Sequence, residues 1–379
     1  GPGYGMFLAA VFRICGIYAV PVLLVQILLS GISCLLLYLL AWLLIQSRAI
    51  AILAGVLGAA SYTSISLSCL VLSDTWYFFL FLISIILFLR GLECGQWKYF
   101  VMTGIIMAGA ILTRAIGQFW PIIMVVLAAL YRPASTEQTP SSLTLARWRI
   151  AKTMLSIAIV AVITLSWVAR NYSLYGLPLL TQASSWGPAK VAAMTLGRLH
   201  NSSERESLSK WRQSYEQKHL GEEWTPVTTH HMHLALTDSV LSTYPVEMVS
   251  TYLSVAWRNV TDINYLHRVN LPDFNSTLIP WEHRVKQWGL NYLNFIVSMI
   301  GLVILGVRRN WRACLVLGVI FFYYAAMVGA SQWQGSRLFF PGQIAAAILI
   351  AVVIVTFLKA GRVLLMRVRQ MIQPSYSDE

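Results

Sequence analysis

Long runs of apolar residues, separated by short polar stretches, make up most of the chain outside one central region. A helix needs about 20 residues to cross the hydrocarbon core of a bilayer, and each run equals or approaches that length. We predict about nine transmembrane helices, at residues 20–45, 49–70, 75–89, 98–113, 117–131, 153–168, 291–307, 313–330 and 341–358.

The central region, residues 171–290, has a different pattern, with ten basic and ten acidic side chains. Stretches such as "SERESLSKWRQSYEQ" are typical of helices on a protein surface. We therefore expect an all-α polytopic membrane protein in three parts. Residues 1–170 form an N-terminal transmembrane bundle with an outer amphipathic helix at 5–16, residues 171–290 form a helical loop domain, and residues 291–379 form C-terminal transmembrane helices with a basic tail.

The charge distribution predicts the orientation in the membrane. Only 11% of the 379 residues are charged, against about 25% in an average soluble domain. The net charge of +13 lies wholly outside the loop region, because the rest of the chain has 18 basic and five acidic residues. If the chain begins outside, 14 of those 18 lie on the cytoplasmic side, as the positive-inside rule requires.

This orientation predicts an extracytoplasmic loop domain and a cytoplasmic C-terminus. The excess of basic residues is then explained by the topology, so nucleic acid is not expected as a partner. The expected location is a prokaryotic inner membrane, in which the protein is multi-pass and any active site lies on the extracytoplasmic side with the loop domain.

Four arginines lie on the outer side against this bias, namely Arg13, Arg114, Arg170 and Arg337. We interpret Arg13, in the amphipathic "MFLAAVFRICG", as an interface residue. Each of the other three lies at a helix end beside a glycine or proline. Because the guanidinium group is a planar fork of donors that keeps its charge, three arginines at one membrane face suit a phosphate.

Asp74, in "VLSDTWYFFL", is the one acidic residue in the predicted outer short loops. Two roles are open for it. It caps the following helix, together with the preceding Ser73, or it is the partner of an outer arginine or of a substrate hydroxyl.

The loop region contains a histidine cluster in "TTHHMHLALTD". His230 and His233 would share a helical face, which makes them candidates for binding a divalent metal. The alternative is a polar helix start with no metal. No cofactor is otherwise indicated.

Several motifs, taken in order, resemble those of GT-C membrane glycosyltransferases of the protein O-mannosyltransferase and aminoarabinose transferase superfamily. "PGYGMFLAAVFRICG" resembles the family's proline-tyrosine stretch, and "LSDTWYFFLF" resembles its acidic residue at the start of a span. The remaining matches are the Thr-Arg turn, the Arg-Asn-Tyr corner and the late Arg-aromatic turn, in "LTRAIGQFWP", "WVARNYSLYG" and "GSRLFFPGQIAAAILI".

The resemblance implies a GT-C-like bundle that transfers a sugar from a polyprenyl-phosphate donor to a lipid, glycan or protein acceptor, with inversion. It implies that Arg170 faces the carrier phosphate while Asn171 fixes the corner by hydrogen bonding to backbone. It also makes Arg114, Arg337 and Tyr4 substrate or lipid-phosphate contacts.

One departure from the family pattern concerns the catalytic acid. Family members carry an essential acidic residue in the first outer loop, and the sequence begins beyond that loop. We therefore expect a fragment of a longer protein, in which Asp74 is the candidate catalytic residue; an inactive protein is the alternative.

Two other function classes remain open at this stage. A transporter or flippase of lipid-linked saccharides would place ionisable groups near the bilayer midplane and show internal repeats. A non-catalytic assembly protein would use the loop domain to bind partners, but it would leave three outward arginines unexplained.

Overall fold

The computed structural model describes residues 1–131, 142–181, 183–219, 225–261, 290–330 and 339–372. Every regular element in these ranges is helical, as predicted. The first eight helices are α1 (Pro2–Cys15), α2 (Ala19–Ile45), α3 (Arg48–Ala59), α4 (Tyr62–Ser68), α5 (Ser73–Cys94), α6 (Trp97–Thr113), α7 (Trp120–Leu130) and α8 (Ser142–Tyr175).

Four helices form the loop domain and three follow it. The loop helices are α9 (Ala183–Leu199), α10 (Glu204–Lys218), α11 (Pro226–Thr243) and α12 (Pro245–Thr261). The last three are α13 (Leu290–Val307), α14 (Trp311–Met327) and α15 (Gln343–Ile372).

Four of the described helical segments are long and apolar enough to cross a membrane. They are Ala19–Ile45, Ser73–Cys94, Arg147–Tyr175 and Phe340–Arg367, and shorter apolar helices accompany them. The chain is therefore an all-α polytopic membrane protein, as the apolar runs predict.

The predicted second span is not a single helix, because the chain breaks between α3 and α4. The Ser61 hydroxyl accepts a hydrogen bond from the Ser64 backbone N–H (3.4 Å), so Ser61 caps a new helix at this point. A serine in an apolar run gives too little signal to locate such a break from the sequence.

Helix α6 packs closely against α8, and the two run in the same direction. The Lys152 amine donates to the Gly95 carbonyl, and further along both chains the Ser156 hydroxyl donates to the Phe100 carbonyl (2.7 Å). A Cβ on Gly104 would lie 2.8 Å from the Ser156 carbonyl oxygen. Only glycine permits this approach, which fixes the relative height of the two helices.

Helix α5 runs antiparallel to α6 and α14, and its two ends mark the two ends of the bundle. Its N-terminal Asp74 pairs with Arg114, which follows the last residue of α6. Its C-terminal Glu93 pairs with Arg312 in the first turn of α14. We call these the Asp74 end and the Glu93 end.

A network of hydrogen bonds joins four helices at the Glu93 end. Glu93 accepts from Arg312 (3.0 Å) and from the Tyr131 hydroxyl (3.2 Å). Arg312 also donates to the Leu43 and Leu44 carbonyls (2.9 and 3.1 Å), which belong to the last turn of α2. One guanidinium therefore satisfies a carboxylate and two carbonyls that α2 cannot satisfy itself.

The loop domain has a small core of its own. Ala189, Ala192 and Ala193 of α9 pack against Leu236 and Val240 of α11. Alanine on the shared face lets the two helix backbones approach closely, which produces a compact helical unit from a largely polar sequence.

Helix α12 joins the loop domain to the transmembrane part at the Asp74 end. The Tyr252 hydroxyl donates to the Ala326 carbonyl, and the Asn259 amide donates to the Val328 carbonyl (3.0 Å). Both acceptors lie at the C-terminal end of α14, where helix carbonyls lack partners within the helix.

Replacing Arg312 with alanine should destabilise the protein by about 3 to 5 kcal/mol, because it leaves the Glu93 carboxylate without its main partner in a poorly hydrated place. The Arg312 and Glu93 side chains are only 10% and 20% exposed. The loss would be measured as reduced thermal stability of the purified protein in detergent.

Arg90→Ala is the matched control, since Arg90 is 56% exposed and lies 3.9 Å from the same carboxylate. Its removal should change stability by less than about 1 kcal/mol. Equal losses for the two alanine variants would contradict the assigned role of Arg312.

Candidate functional site

Asp74 and Arg114 form a buried ion pair where α5 begins and α6 ends. The Asp74 side chain is fully buried and that of Arg114 is 16% exposed. The N-cap position of α5 is Leu72, and no side chain caps the helix start. Of the two roles that the sequence left open for Asp74, the structure therefore has the arginine partner, with the carboxylate also favoured by the positive end of α5.

Tyr4 and Gln26 hold the neighbouring part of the Asp74 end. The Tyr4 hydroxyl donates to the Gln26 side-chain oxygen (3.4 Å), and the Gln26 amide donates to the Leu72 carbonyl (2.8 Å). A Cβ on Gly3 would lie 2.8 Å from the Thr113 backbone nitrogen, so α1 lies directly on the end of α6. Tyr4 thus lies at the same end as the ion pair.

Three buried tyrosines support the turn that follows Arg114. The Tyr77 and Tyr324 hydroxyls are 2.6 Å apart, and the Tyr323 hydroxyl donates to the Ile116 carbonyl (2.6 Å). These three tyrosines were not predicted as site residues from the sequence. The signal was available in "FFYYAAM", since tyrosines within an apolar span need partners for their hydroxyls.

Helix α8 continues beyond Arg170, where the sequence analysis placed a corner. It ends at Tyr175, and Gly176 follows with a φ of +69°. The Gly176 N–H donates to the Tyr172 carbonyl (2.8 Å), which closes the last turn. Glycine adopts this left-handed conformation without strain, so the glycine of the motif, and not its Arg-Asn pair, ends the helix.

The Arg170 side chain is exposed and held in place from two sides. Its guanidinium lies over the Trp167 ring, 4.5 Å from the centroid, and donates to the Asn171 side-chain oxygen (3.1 Å). The Asn171 amide donates to the Leu179 carbonyl (2.8 Å), the backbone contact that the family resemblance implied. Among the described residues, no carboxylate pairs with Arg170, so its charge is available to an anion.

A cavity of about 350 Å³ opens beside Arg170. It combines one cation with aromatic rings, amide groups and apolar walls, and one wall comes from α11 of the loop domain. Its lining residues are Trp167, Arg170, Asn171, Tyr175, Leu177, Leu179, Thr181 and Val227.

The parallel packing of α6 and α8 brings Arg114 and Arg170 to the same end of the bundle. Gly104 and Ser156 lie side by side. Arg114 lies ten residues after Gly104, and Arg170 lies fourteen residues after Ser156. At a rise of about 1.5 Å per residue, Arg170 reaches roughly 6 Å further along the bundle axis.

Comparison with known proteins finds a family match in the N-terminal part of the chain. Residues 1–168 match the family model described as dolichyl-phosphate-mannose-protein mannosyltransferase. This segment resembles a GT-C mannosyltransferase. The resemblance predicted from the motifs is thereby confirmed over these residues, which include Asp74 and Arg114 and amount to less than half of the chain. No curated protein and no solved structure matched.

The mannosyltransferase match supports a membrane glycosyltransferase of lipid-linked sugars in general. Arg170 and Asn171 lie just beyond the matched residues, and Arg337 lies outside the residues that the structure describes. Of the predicted phosphate contacts, Arg114 and Arg170 can therefore be placed, and they share one end of the bundle.

A second cavity, of about 240 Å³, lies within the transmembrane part. Gln343 crosses its polar side, accepting from the Ser61 hydroxyl (3.3 Å) and donating to the Thr63 hydroxyl (3.4 Å). Most of the remaining wall is apolar and includes Phe78 and Phe340. This cavity was not predicted from the sequence, because it depends on the break between α3 and α4.

The histidine pair lies inside the loop domain. His230 and His233 are 8% and 4% exposed, and the His233 ring contacts Trp186 edge to face (4.8 Å). In the described part of the chain, no group of three or more histidine, cysteine, aspartate or glutamate side chains could hold a metal ion. The burial of both rings favours a role in the domain core, and the metal hypothesis gains no support.

The same burial predicts that the loop domain loses stability in acid. Desolvation, and then repulsion from a neighbouring histidine, lowers the pKa of both His230 and His233. An unfolded chain, with histidine pKa values near about 6.5, then binds more protons than the folded one. The free energy of unfolding is therefore highest above about pH 6.5, and it falls as the pH drops through the lowered pKa values of the folded state.

Hydrogen exchange in α11 between pH 8 and pH 5 would measure this effect. Replacing both His230 and His233 with glutamine should flatten the pH dependence, whereas His200→Gln, at an exposed site, should retain it. A double variant with an unchanged acid response would contradict the assignment.

Proposed function

We propose that the protein transfers a sugar from a polyprenyl-phosphate donor to a lipid, glycan or protein acceptor on the extracytoplasmic side of the membrane. One observation carries the proposal. The segment that matches the mannosyltransferase family contains the buried Asp74–Arg114 pair, and the exposed Arg170 lies at the same end of the bundle.

The proposed reaction is a direct displacement. The acceptor attacks the anomeric carbon on the face opposite the phosphate, the bond from that carbon to the phosphate oxygen breaks, and polyprenyl phosphate leaves with the electron pair. The acceptor proton passes to a base, and the configuration at the sugar carbon inverts. The main demand on the protein is to stabilise negative charge on the departing phosphate.

Arg170 is the residue best suited to bind that phosphate. Its ring contact with Trp167 and its hydrogen bond to Asn171 orient the guanidinium without neutralising it. We propose that Arg337 joins it and that the neighbouring cavity of about 350 Å³ holds the sugar, since aromatic and amide groups are suited to sugar rings.

Arg114 and Asp74 act together in this proposal. The buried carboxylate fixes the position of the guanidinium, which adds positive potential behind the phosphate. Because Asp74 already accepts from Arg114 and is shielded from solvent, it is a poor proton acceptor for the incoming nucleophile. We assign Asp74 a positioning role.

The transmembrane cavity provides for the lipid part of the donor. Its apolar walls suit hydrocarbon, and the amide of Gln343 and the hydroxyls of Ser61 and Thr63 supply polar contacts at one side. The family's donors are lipid-linked, so a cavity of this composition within the bundle supports the proposed substrate class.

The transporter alternative is less consistent with the placement of charge. In the described transmembrane helices, the two carboxylates lie in the first and last turns of α5, and their arginine partners also lie at helix ends. Transporters of charged substrates place ionisable groups near the midplane, on interrupted helices.

Arginine substitutions test the proposed phosphate site. A charge-assisted hydrogen bond contributes about 1.5 to 3 kcal/mol, so Arg170→Ala should slow turnover by roughly tenfold to more than a hundredfold. Arg114→Ala and Arg337→Ala should act in the same range. Arg170→Lys should recover part of the activity, because lysine keeps the charge but loses the planar fork. The measurement is single-turnover transfer from a radiolabelled polyprenyl-phosphate sugar, catalysed by the full-length protein.

Arg13→Ala is the control, since Arg13 lies in the last turn of α1 and is assigned to the membrane interface. It should retain the wild-type rate, and every variant should insert at normal levels. Wild-type rates for all three alanine variants would remove the phosphate-binding assignment.

The orientation is tested separately by thiol labelling of intact cells. In a background without the native cysteines, an impermeant maleimide should label Ser209→Cys in the loop domain. It should reach Arg309→Cys, between α13 and α14, only after the cells are opened. The reverse pattern would overturn the proposed orientation.

A further inference from the structure

Helix α12 carries a row of apolar side chains that are largely exposed. Val246, Val249, Leu253 and Trp257 are 75%, 53%, 59% and 45% exposed. At 100° per residue, these four positions fall within an arc of about 80° on one face of the helix. The row is one side chain wide and extends over about 16 Å.

The opposite face of α12 is fully engaged with protein. Thr251, Val255 and Asn259 are buried there, and Asn259 donates to the Val328 carbonyl (3.0 Å). Arg198 of α9 donates to the Thr251 and Ser254 hydroxyls (3.3 and 2.9 Å). The helix therefore cannot rotate to bury its apolar row, and the exposure of that row is a fixed feature of the fold.

The apolar row of α12 ends beside α13, an apolar helix of the transmembrane part. The Trp257 ring meets Phe295 of α13 edge to face, with centroids 5.1 Å apart. Beyond this contact, α13 exposes a row of its own in which the apolar positions repeat at helical spacing. That row consists of Leu293, Ile296, Ile300 and Val303.

Charged groups border the row on α12. Glu247 and Arg258 are exposed and lie about 80° to 140° around the helix from Leu253 and Trp257. An apolar stripe beside charged side chains, with a tryptophan at the junction to a transmembrane helix, is the pattern of a helix that lies in the membrane interface.

We propose that α12 lies in the lipid interface at the Asp74 end, with its row of Val246, Val249, Leu253 and Trp257 in contact with acyl chains. The lipid surface is the occupant because the row ends at Trp257, which packs against α13, and α13 exposes an apolar row of its own along its length. Glu247 and Arg258 then lie at headgroup level. This contact is independent of the catalytic assignment, since it concerns only the seating of the loop domain.

Seating α12 in lipid would also fix the height of the Arg170 cavity. Because α12 is hydrogen-bonded to the end of α14 and to α9, the depth of α12 in the membrane determines the depth of the loop domain. Val227, which lines the cavity, belongs to the same domain. An interfacial α12 would thus hold one wall of the cavity close to the headgroups.

Spin labelling tests the proposal on the full chain in nanodiscs of phosphatidylcholine and phosphatidylglycerol. In a background without the native cysteines, nitroxides are attached to Leu253→Cys and Val249→Cys on the row, and to Glu247→Cys as the matched exposed control. Collision rates with oxygen, which concentrates in the bilayer, and with a water-soluble nickel chelate give the depth of each label.

Labels at Leu253 and Val249 should lie about 5 to 10 Å below the lipid phosphates, the depth of an interfacial apolar face. The label at Glu247 should lie at or above the phosphates. Free access of the nickel chelate to both row positions would overturn the proposal in favour of a solvent-exposed face. Shielding of both positions from oxygen and nickel alike would overturn it in favour of a protein partner or a second copy of the chain.

Discussion

Helix α5 is held at both ends by a carboxylate–guanidinium pair, and the arrangement of the other helices follows from this. Its interior is apolar and largely buried, so hydrophobic contacts alone would let it shift along its axis. Asp74 and Glu93 prevent this, because an unpaired carboxylate in a poorly hydrated place costs several kcal/mol. The end of α6 must therefore lie beside the start of α5, and the start of α14 beside its end. These two pairs set the register of the bundle.

This constraint also divides the basic residues between structural and functional roles. Arg312 has a structural role, since its guanidinium donates hydrogen bonds to Glu93 and to carbonyls in the last turn of α2. Arg114 is held by Asp74 and is partly buried. Arg170, by contrast, is oriented by a ring and an amide, neither of which cancels its charge. A cation held in place but not neutralised is what an anionic ligand requires, which is why the phosphate assignment depends most on Arg170.

The sequence was sufficient for the helical class and for the presence of membrane-spanning helices, because the period and length of apolar runs are local properties. It also singled out Arg114 and Arg170 as candidates, because their positions oppose the charge bias. It could not decide between the two roles of Asp74, because that choice depends on which helix ends beside α5. The break at Ser61, the extension of α8 to Gly176 and the contact between Tyr77 and Tyr324 likewise depend on neighbours distant in sequence.

The loop domain adds a further requirement to the proposed site. One wall of the Arg170 cavity is Val227 of α11, whereas Arg170 itself belongs to the transmembrane helix α8. The two walls keep their separation only if the loop domain is fixed relative to the bundle, and α12 provides that connection through Tyr252 and Asn259. Both side chains donate to carbonyls at the end of α14, and α14 is tied to α5 by Arg312. The geometry of the cavity is therefore linked, through α12 and α14, to the same ion pair that sets the register at the opposite end of the bundle.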